Sequence, residues 1–207
     1  MTAYTNFVED FPSRCMAVLQ MAKQKARLSG KEVTLSLMAA SAGLLIPFER
    51  LNPDANLPHP SRNVEIFPEH AKRLEDLMTE KFLGSKLHPE KESDWLSGNL
   101  KSLITTPEAW GNPDSWPELN EAKVMTKDKT VGSVLKILRN ALAHSNIYTK
   151  GNPIKLIIFI SIYEEKGEIK KAFFVSASPS EFLNFLEKWF KFLEDHKISL
   201  TDAKHLL

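Results

Sequence analysis

The sequence predicts a mainly α-helical protein with a β-hairpin near the C-terminus, followed by a final amphipathic helix. Three observations predict this class. Apolar residues recur at helical spacing in several segments before residue 150. β-Branched and aromatic residues dominate 154–163 and 169–176, and a last helical pattern begins after Ser178. The 207 residues are expected to form a single domain, 1–207, around one sizeable core.

The composition narrows the possible functions. A net charge of +1 at pH 7 excludes a strongly basic coat protein for nucleic acid, but a few placed cations still suffice for an RNA site. The single cysteine, Cys15, cannot form an internal disulfide, and no signal peptide opens the chain, so a cytoplasmic location is expected. Because the histidines are scattered and there is one cysteine, we expect no metal and no cofactor.

The N-terminal part of the chain predicts two helices followed by a loop. The first helix covers 12–28, with proline at an early helical position. The second covers 32–45 and stops before Pro47. Its apolar stretch, 33–48, is short for a bilayer, so a buried helix is expected and no membrane. The prolines of 52–63 indicate an extended loop.

A third helix is predicted from near Pro68 to just before Gly84. Its apolar face consists of Ala71, Leu74, Leu77, Met78 and Phe82. The periodicity then weakens over 85–128, where a short helix is expected around 95–104.

Two candidate sites on these helices are open to simpler explanations. His70 and Glu75 or Asp76 pair with charges on the third helix in one interpretation, and they form a solvated face in the other. The basic residues near the end of the first helix would follow an RNA backbone or offset the helix dipole; they are Lys23, Lys25, Arg27 and Lys31.

A fourth helix, expected over 129–147, carries the candidate chemistry in Arg139, Asn140 and His144. An arginine binds phosphate oxygens through its forked guanidinium, and an amide orients them. An imidazole transfers a proton near neutral pH. The three residue types together indicate a helix that handles a phosphodiester.

The two sides of this helix differ in character at about 100° per residue. Its apolar stripe is expected to pack into a helical bundle and consists of Val131, Val134, Leu135, Leu138 and Leu142. Arg139, Asn140 and His144 fall on the other side, which predicts a site completed by something outside the domain. Alternatively, these cations form a solvated face that offsets the helix dipole, each contributing about 0.3–1 kcal/mol.

Residues 138–144 resemble the motif of the HEPN superfamily, in which an arginine, often followed by a polar residue, precedes a histidine by a few positions. Here four residues separate Arg139 from His144. The long helices before the motif, and the hairpin and helix of 154–196 after it, resemble a HEPN branch found on plasmids and other mobile elements. The resemblance is specific over 131–196, and 85–128 is interpreted as a possible insertion.

The resemblance implies a HEPN-like helical bundle and a homodimer in which two copies of the 131–147 helix face each other. Many HEPN proteins are metal-independent endoribonucleases, whereas others are inactive RNA-binding or scaffold proteins. Cleavage through the 2′-OH leaves 2′,3′-cyclic phosphate ends and needs both a base and an acid, so a two-fold axis would supply the second histidine. Arg139 would stabilise transition-state charge, and Asn140 would orient phosphate or an imidazole.

Three functions therefore stay open. The leading hypothesis is a homodimeric HEPN ribonuclease acting on RNA as a toxin or defence effector, with an antitoxin or other protein as a possible partner. The second is a non-catalytic HEPN module that binds RNA or protein. The third is an unrelated helical domain with an accidental motif, which a monomer with Arg139 and His144 far apart would favour.

Overall fold

The computed structural model describes residues 7–51, 67–90, 94–101, 111–124 and 129–204. The chain divides into two compact units, Met1–Thr79 with Asn184–Leu207, and Glu80–Leu183. The expected single domain and the interpretation of 85–128 as an insertion stay predictions.

The helices and strands, in chain order, are α1 (Phe7–Leu28), α2 (Glu32–Gly43), α3 (Leu45–Leu51), α4 (Pro68–Thr79), β1 (Leu96–Asn99), α5 (Pro117–Asn120), β2 (Lys123–Val124), α6 (Val131–His144), β3 (Ile147–Lys150), β4 (Leu156–Glu165), β5 (Glu168–Ala177) and α7 (Pro179–Lys204). A short 3₁₀ turn, Pro113–Ser115, precedes α5.

The first unit is helical, as predicted, although two helix boundaries differ. α1 begins at Phe7, so Pro12 lies inside the helix rather than near its start. The helix predicted over 32–45 ends at Gly43, and α3 begins at Leu45 with Pro47 in its first turn. Proline is tolerated there because an N–H in the first turn of a helix has no intrahelical acceptor. The predicted loop at 52–63 lies outside the described residues.

α4 begins at Pro68 as predicted but ends at Thr79, before the expected limit. The predicted apolar residues of this helix are buried, and Phe82 is fully buried just beyond its end. His70 is also buried, so the solvated face expected for it is wrong. Lys72 pairs with Glu75 and Asp76, and these carboxylates raise the pKa of Lys72.

One helical segment of the described residues, Glu32–Leu51, is long and apolar enough to cross a membrane by length and composition. A single segment of this kind is weak support, because the core helix of a soluble protein meets the same criteria. The expectation of no membrane stays a prediction.

α2 approaches the last helix closely at Gly43. The Trp189 Nε1–H donates a hydrogen bond of 2.9 Å to the Gly43 carbonyl oxygen. A Cβ atom at Gly43 would lie 2.3 Å from Cε1 of Phe190, far inside van der Waals contact. Glycine is therefore required there for packing rather than for backbone conformation.

Gly43→Ala is expected to lower the free energy of unfolding by about 1–3 kcal/mol, because the added methyl group overpacks a buried contact. Urea denaturation measures the change. Gly111→Ala is the matched control, since a Cβ there meets nothing within 4 Å. Equal stability of the two variants would contradict the close approach.

Burial raises the pKa of the Cys15 thiol to about 11. Because only the thiolate reacts, a thiol with a pKa two units above the ordinary value of 9.0 has roughly 100-fold less reactive form near neutral pH. We expect iodoacetamide to modify Cys15 far more slowly than it modifies a free thiol at pH 7.5, and faster as the pH rises towards 11. Mass spectrometry of timed samples checks this, and rapid labelling at pH 7.5 would contradict it.

The second unit contains a five-stranded antiparallel sheet in the order β2-β1-β5-β4-β3. The predicted hairpin is confirmed as β4 and β5, which pair from Ile157↔Ala177 to Glu165↔Glu168. Lys166 and Gly167 form its turn with positive φ angles, as a tight two-residue hairpin turn requires.

Two predicted helical segments belong to the sheet instead. The short helix expected around 95–104 is wrong, because Leu96–Asn99 forms strand β1 against β5. The fourth helix ends at His144, and Ile147–Lys150 forms strand β3 against β4. For Leu96–Asn99 the hydrogen bonds offered by a neighbouring strand outweigh a local pattern that also suits a helix, whereas the fourth helix is ended by the left-handed conformation of Ser145.

Both faces of the central strands are covered, since Ile157 to Ile160 of β4 are all fully buried. One face packs on a cluster formed by Leu100, Trp116, Leu119, Ile158, Ile160, Ala172 and Phe174. The opposite face receives α6, which contacts β4 and β5, and the start of α7, where Phe182 packs on Phe159. α6 therefore packs on the sheet, a contact that the sequence did not predict, while packing of its stripe in a helical bundle stays a prediction.

Candidate functional site

The candidate site lies on α6, which has a defined beginning. Thr130 precedes the helix with extended backbone angles, and its Oγ1 accepts a hydrogen bond from the Ser133 N–H. All five residues of the predicted apolar stripe are buried, as are Gly132, Ile137 and Ala141. Only one side of the helix is thus available to a ligand.

The C-terminal end of α6 is held against the sheet. Ser145 adopts the left-handed conformation, with φ 59°, and both its N–H and the Asn146 N–H donate to the Ala141 carbonyl. The Asn146 carbonyl in turn accepts from the Ile160 N–H at 3.0 Å. The end of α6 therefore lies beside Ile160, in the middle of strand β4.

Arg139 and Asn140 belong to a chain of side-chain hydrogen bonds that ends on the sheet. Arg139 Nη1 donates to Asn140 Oδ1 at 2.8 Å, and Asn140 Nδ2 donates to Ser161 Oγ at 2.8 Å. The three side chains are half-buried. A guanidinium carries five N–H donors in a rigid fork, and the bond to Asn140 fixes the orientation of this fork on α6.

Sequence reasoning missed Ser161. The only signal for it is a lone hydroxyl residue within the apolar run 156–162, at a position where alternation predicts the same face as Phe159. The packing of α6 on this face of the sheet was not predictable, so neither was the bond to Asn140. The hydrogen bond to Ser161 thus anchors the Asn140 side chain, and with it Arg139, to strand β4.

His144 is the last residue of α6, and its side chain is exposed. Among the residues that the structure describes, no hydrogen bond or ion pair joins His144 to Arg139 or Asn140. The structure thus brings two of the three predicted residues together and leaves the third on the nearby exposed surface. The assignment of all three as site residues stays a prediction.

The basic residues near the end of α1 differ in their surroundings. Lys23 pairs with Glu187 at 2.7 Å, while Lys25 and Arg27 are exposed in the last turn of the helix. Exposed cations at a helix C-terminus fit both the contact with an RNA backbone and the offset of the helix dipole, so both interpretations stay predictions.

His88, which the sequence did not single out, is buried in a tight turn. Its Nδ1 lies 3.2 Å from the Glu90 carbonyl oxygen, and its ring packs on Phe82. Its contacts therefore fit a structural role. Within the described ranges, no group of three or more His, Cys, Asp or Glu side chains is arranged to hold a metal ion.

Comparison with known proteins identifies the class. The family HEPN pEK499 p136 matches residues 1–200, and the chain belongs to this HEPN family of plasmid origin. The resemblance inferred from the motif and from the C-terminal hairpin is thereby confirmed. The match also covers 85–128, which the sequence alone did not align. No curated protein and no solved structure matches the chain significantly.

We expect Asn140 and Ser161 to be energetically coupled, because the side chain of Asn140 donates a hydrogen bond to the hydroxyl of Ser161. A double-mutant cycle with Asn140→Ala and Ser161→Ala, read by urea denaturation, should give a coupling of about 0.5–1.5 kcal/mol.

Ser133→Ala is the control partner for Asn140→Ala. Ser133 lies two turns earlier on α6 and bonds to Thr130, so its effect should add to that of Asn140→Ala. Additivity of Asn140→Ala with Ser161→Ala as well would contradict a bond that holds in solution.

Proposed function

We propose that this protein is a metal-independent endoribonuclease of HEPN type that acts on RNA as a homodimer. One observation carries the proposal. In a chain that belongs to a HEPN family, the motif arginine is held by Asn140 and through it by Ser161, on the open side of a helix whose other side is buried. A guanidinium positioned in this way is suited to binding a phosphodiester.

The chemistry requires two proton transfers. A base removes the proton of the ribose 2′-OH, the 2′-oxygen bonds to phosphorus, and the 5′-oxygen leaves with a proton from an acid. The products are a 2′,3′-cyclic phosphate and a 5′-OH, and no water is consumed. Arg139 would stabilise the charge that develops on the phosphate oxygens in the transition state. DNA lacks the 2′-OH, so RNA is the expected substrate.

The two proton transfers explain why a second copy of the chain is needed. Each chain supplies one exposed histidine at the motif, His144. A two-fold axis along the open side of α6 would bring two such histidines to one phosphate, one acting as base and the other as acid. The role of a toxin or defence effector, a protein antitoxin and a cytoplasmic location belong to the same proposal and rest on the family alone.

The contacts of Asn140 indicate a positioning role. Its Oδ1 accepts from Arg139 and its Nδ2 donates to Ser161, so the amide is engaged within the chain rather than directed at a ligand. The sequence-based role for Asn140, orienting phosphate or an imidazole, is replaced in this proposal by orienting Arg139.

A second candidate function is a non-catalytic RNA-binding HEPN module. It is favoured by the surroundings of His144, whose ring has no described contact that would fix its orientation for proton transfer. In that case Arg139 would bind phosphate without chemistry.

His144→Ala and Arg139→Ala are each expected to lower the cleavage rate of single-stranded RNA by at least about 100-fold. A general acid–base group contributes on the order of 10²–10⁴, and a donor that stabilises transition-state charge contributes about 10²–10³. The assay contains EDTA, resolves 2′,3′-cyclic ends by mass spectrometry, and compares melting temperatures to exclude unfolding. A bell-shaped dependence of the rate on pH is expected for paired imidazoles.

Lys155→Ala is the control, because it removes one exposed cation at the other end of β4. Retained cleavage in this variant separates a specific effect from a general loss of charge. Undiminished cleavage in His144→Ala would refute the assignment. Wild-type protein that binds RNA without cleaving it would favour the second candidate.

A further inference from the structure

The face of the sheet that carries Ser161 continues beyond α6 as an exposed surface. In β4 and β5, Ser161 pairs with Phe173 and Tyr163 pairs with Lys171. Directly paired residues share a face, and residues two apart in a strand share it as well. Ile162 and Ala172 pack on the opposite face, in the cluster that contains Trp116. Tyr163 and Lys171 therefore lie on the same face as Ser161 and Asn140.

A second lysine extends this surface beyond β1. The Leu100 N–H donates to the Ala172 carbonyl at 2.8 Å, so the pairing of β1 with β5 continues one residue past Asn99. Leu100 packs in the opposite-face cluster, and alternation places Lys101 beside Lys171. A shallow cavity of about 300 Å³ opens at this edge and is lined by both lysines.

The charges of this surface are suited to phosphate. Lys101 and Lys171 are exposed, and neither takes part in an ion pair within the described ranges. Lys170, by contrast, pairs with Glu168. Glu164 and Glu165 follow the register shift between Tyr163 and Glu164, towards the hairpin turn. Among the residues that the structure describes, positive charge without an ion-pair partner is thus concentrated beside Tyr163.

Tyr163 supplies an exposed aromatic ring, with 55 % of its surface accessible. Aromatic side chains on a basic surface bind single-stranded nucleic acid because bases stack on the ring while cations contact phosphates. A base in a duplex is already stacked on its neighbours and cannot lie on the ring. Two residues along β4 span about 6.8 Å, so a nucleotide stacked on Tyr163 would lie next to the Ser161–Asn140–Arg139 chain.

We propose that Tyr163, Lys171 and Lys101 form a binding surface for single-stranded RNA that leads the strand to Arg139. The nucleotide next to the cleaved bond stacks on Tyr163, and the two lysines contact the phosphates on its far side. The ribonuclease of the proposed function would in this way select unpaired RNA. The role of these residues in selecting a cleavage site rests on that proposed function, whereas their role in binding does not.

The test measures binding of the full-length His144→Ala protein to a short fluorescent single-stranded RNA and to a hairpin of matched length, by fluorescence anisotropy. Tyr163→Ala is expected to weaken single-strand binding about tenfold, and Tyr163→Phe to leave it within about twofold. Lys171→Ala and Lys101→Ala should each reduce the slope of log K against log salt by about 0.7, the value for one phosphate contact on a single strand. The hairpin should bind more weakly than the single strand.

Lys155→Ala, at the other end of β4, is the charge-matched control and should leave the salt slope unchanged. The proposal is overturned if Tyr163→Ala binds single-stranded RNA as tightly as its parent, if Tyr163→Phe loses as much affinity as Tyr163→Ala, or if the lysine variants behave like Lys155→Ala.

Cleavage by the same variants, made with His144 intact, separates this proposal from the proposed function. Cleavage that depends on His144 but is unaffected by Tyr163→Ala supports the ribonuclease and refutes the role of this surface in leading RNA to Arg139. Absence of cleavage, together with binding that depends on Tyr163 and the lysines, supports the binding surface and refutes the ribonuclease.

Discussion

The packing of α6 on β4 is the contact on which the candidate site depends. The apolar stripe of the helix is buried against the sheet, and this burial fixes which side of the helix faces outward. It also brings a strand hydroxyl, Ser161, within hydrogen-bond distance of Asn140. The hydrophobic contact therefore does more than stabilise the unit, since it sets the position of the guanidinium that is expected to meet phosphate.

Much of this arrangement could be predicted from local pattern. The helix of 131–144, its buried stripe and the hairpin at 156–177 all follow from periodicity and turn residues. The family also followed from the sequence, because the motif and the elements after it are contiguous in the chain.

The sheet around the hairpin could not be predicted in the same way. β1 has four residues, and its strand conformation depends on hydrogen bonds from β5, more than seventy residues later in the chain. Ser161 was missed for the same reason, since its partner lies on a helix twenty-one residues earlier. The helix of 131–147 was predicted too long because the left-handed conformation of Ser145 is unusual for a residue other than glycine or asparagine.

Ser145 has a consequence for how firmly the end of α6 is held. By reversing the chain within one residue, it joins the helix to β3 with no flexible loop between them. Two backbone hydrogen bonds close the turn, and a third ties it to β4. The backbone of His144 is consequently ordered before any ligand arrives. A ligand that bound at this surface would then cost little backbone conformational entropy at the end of α6.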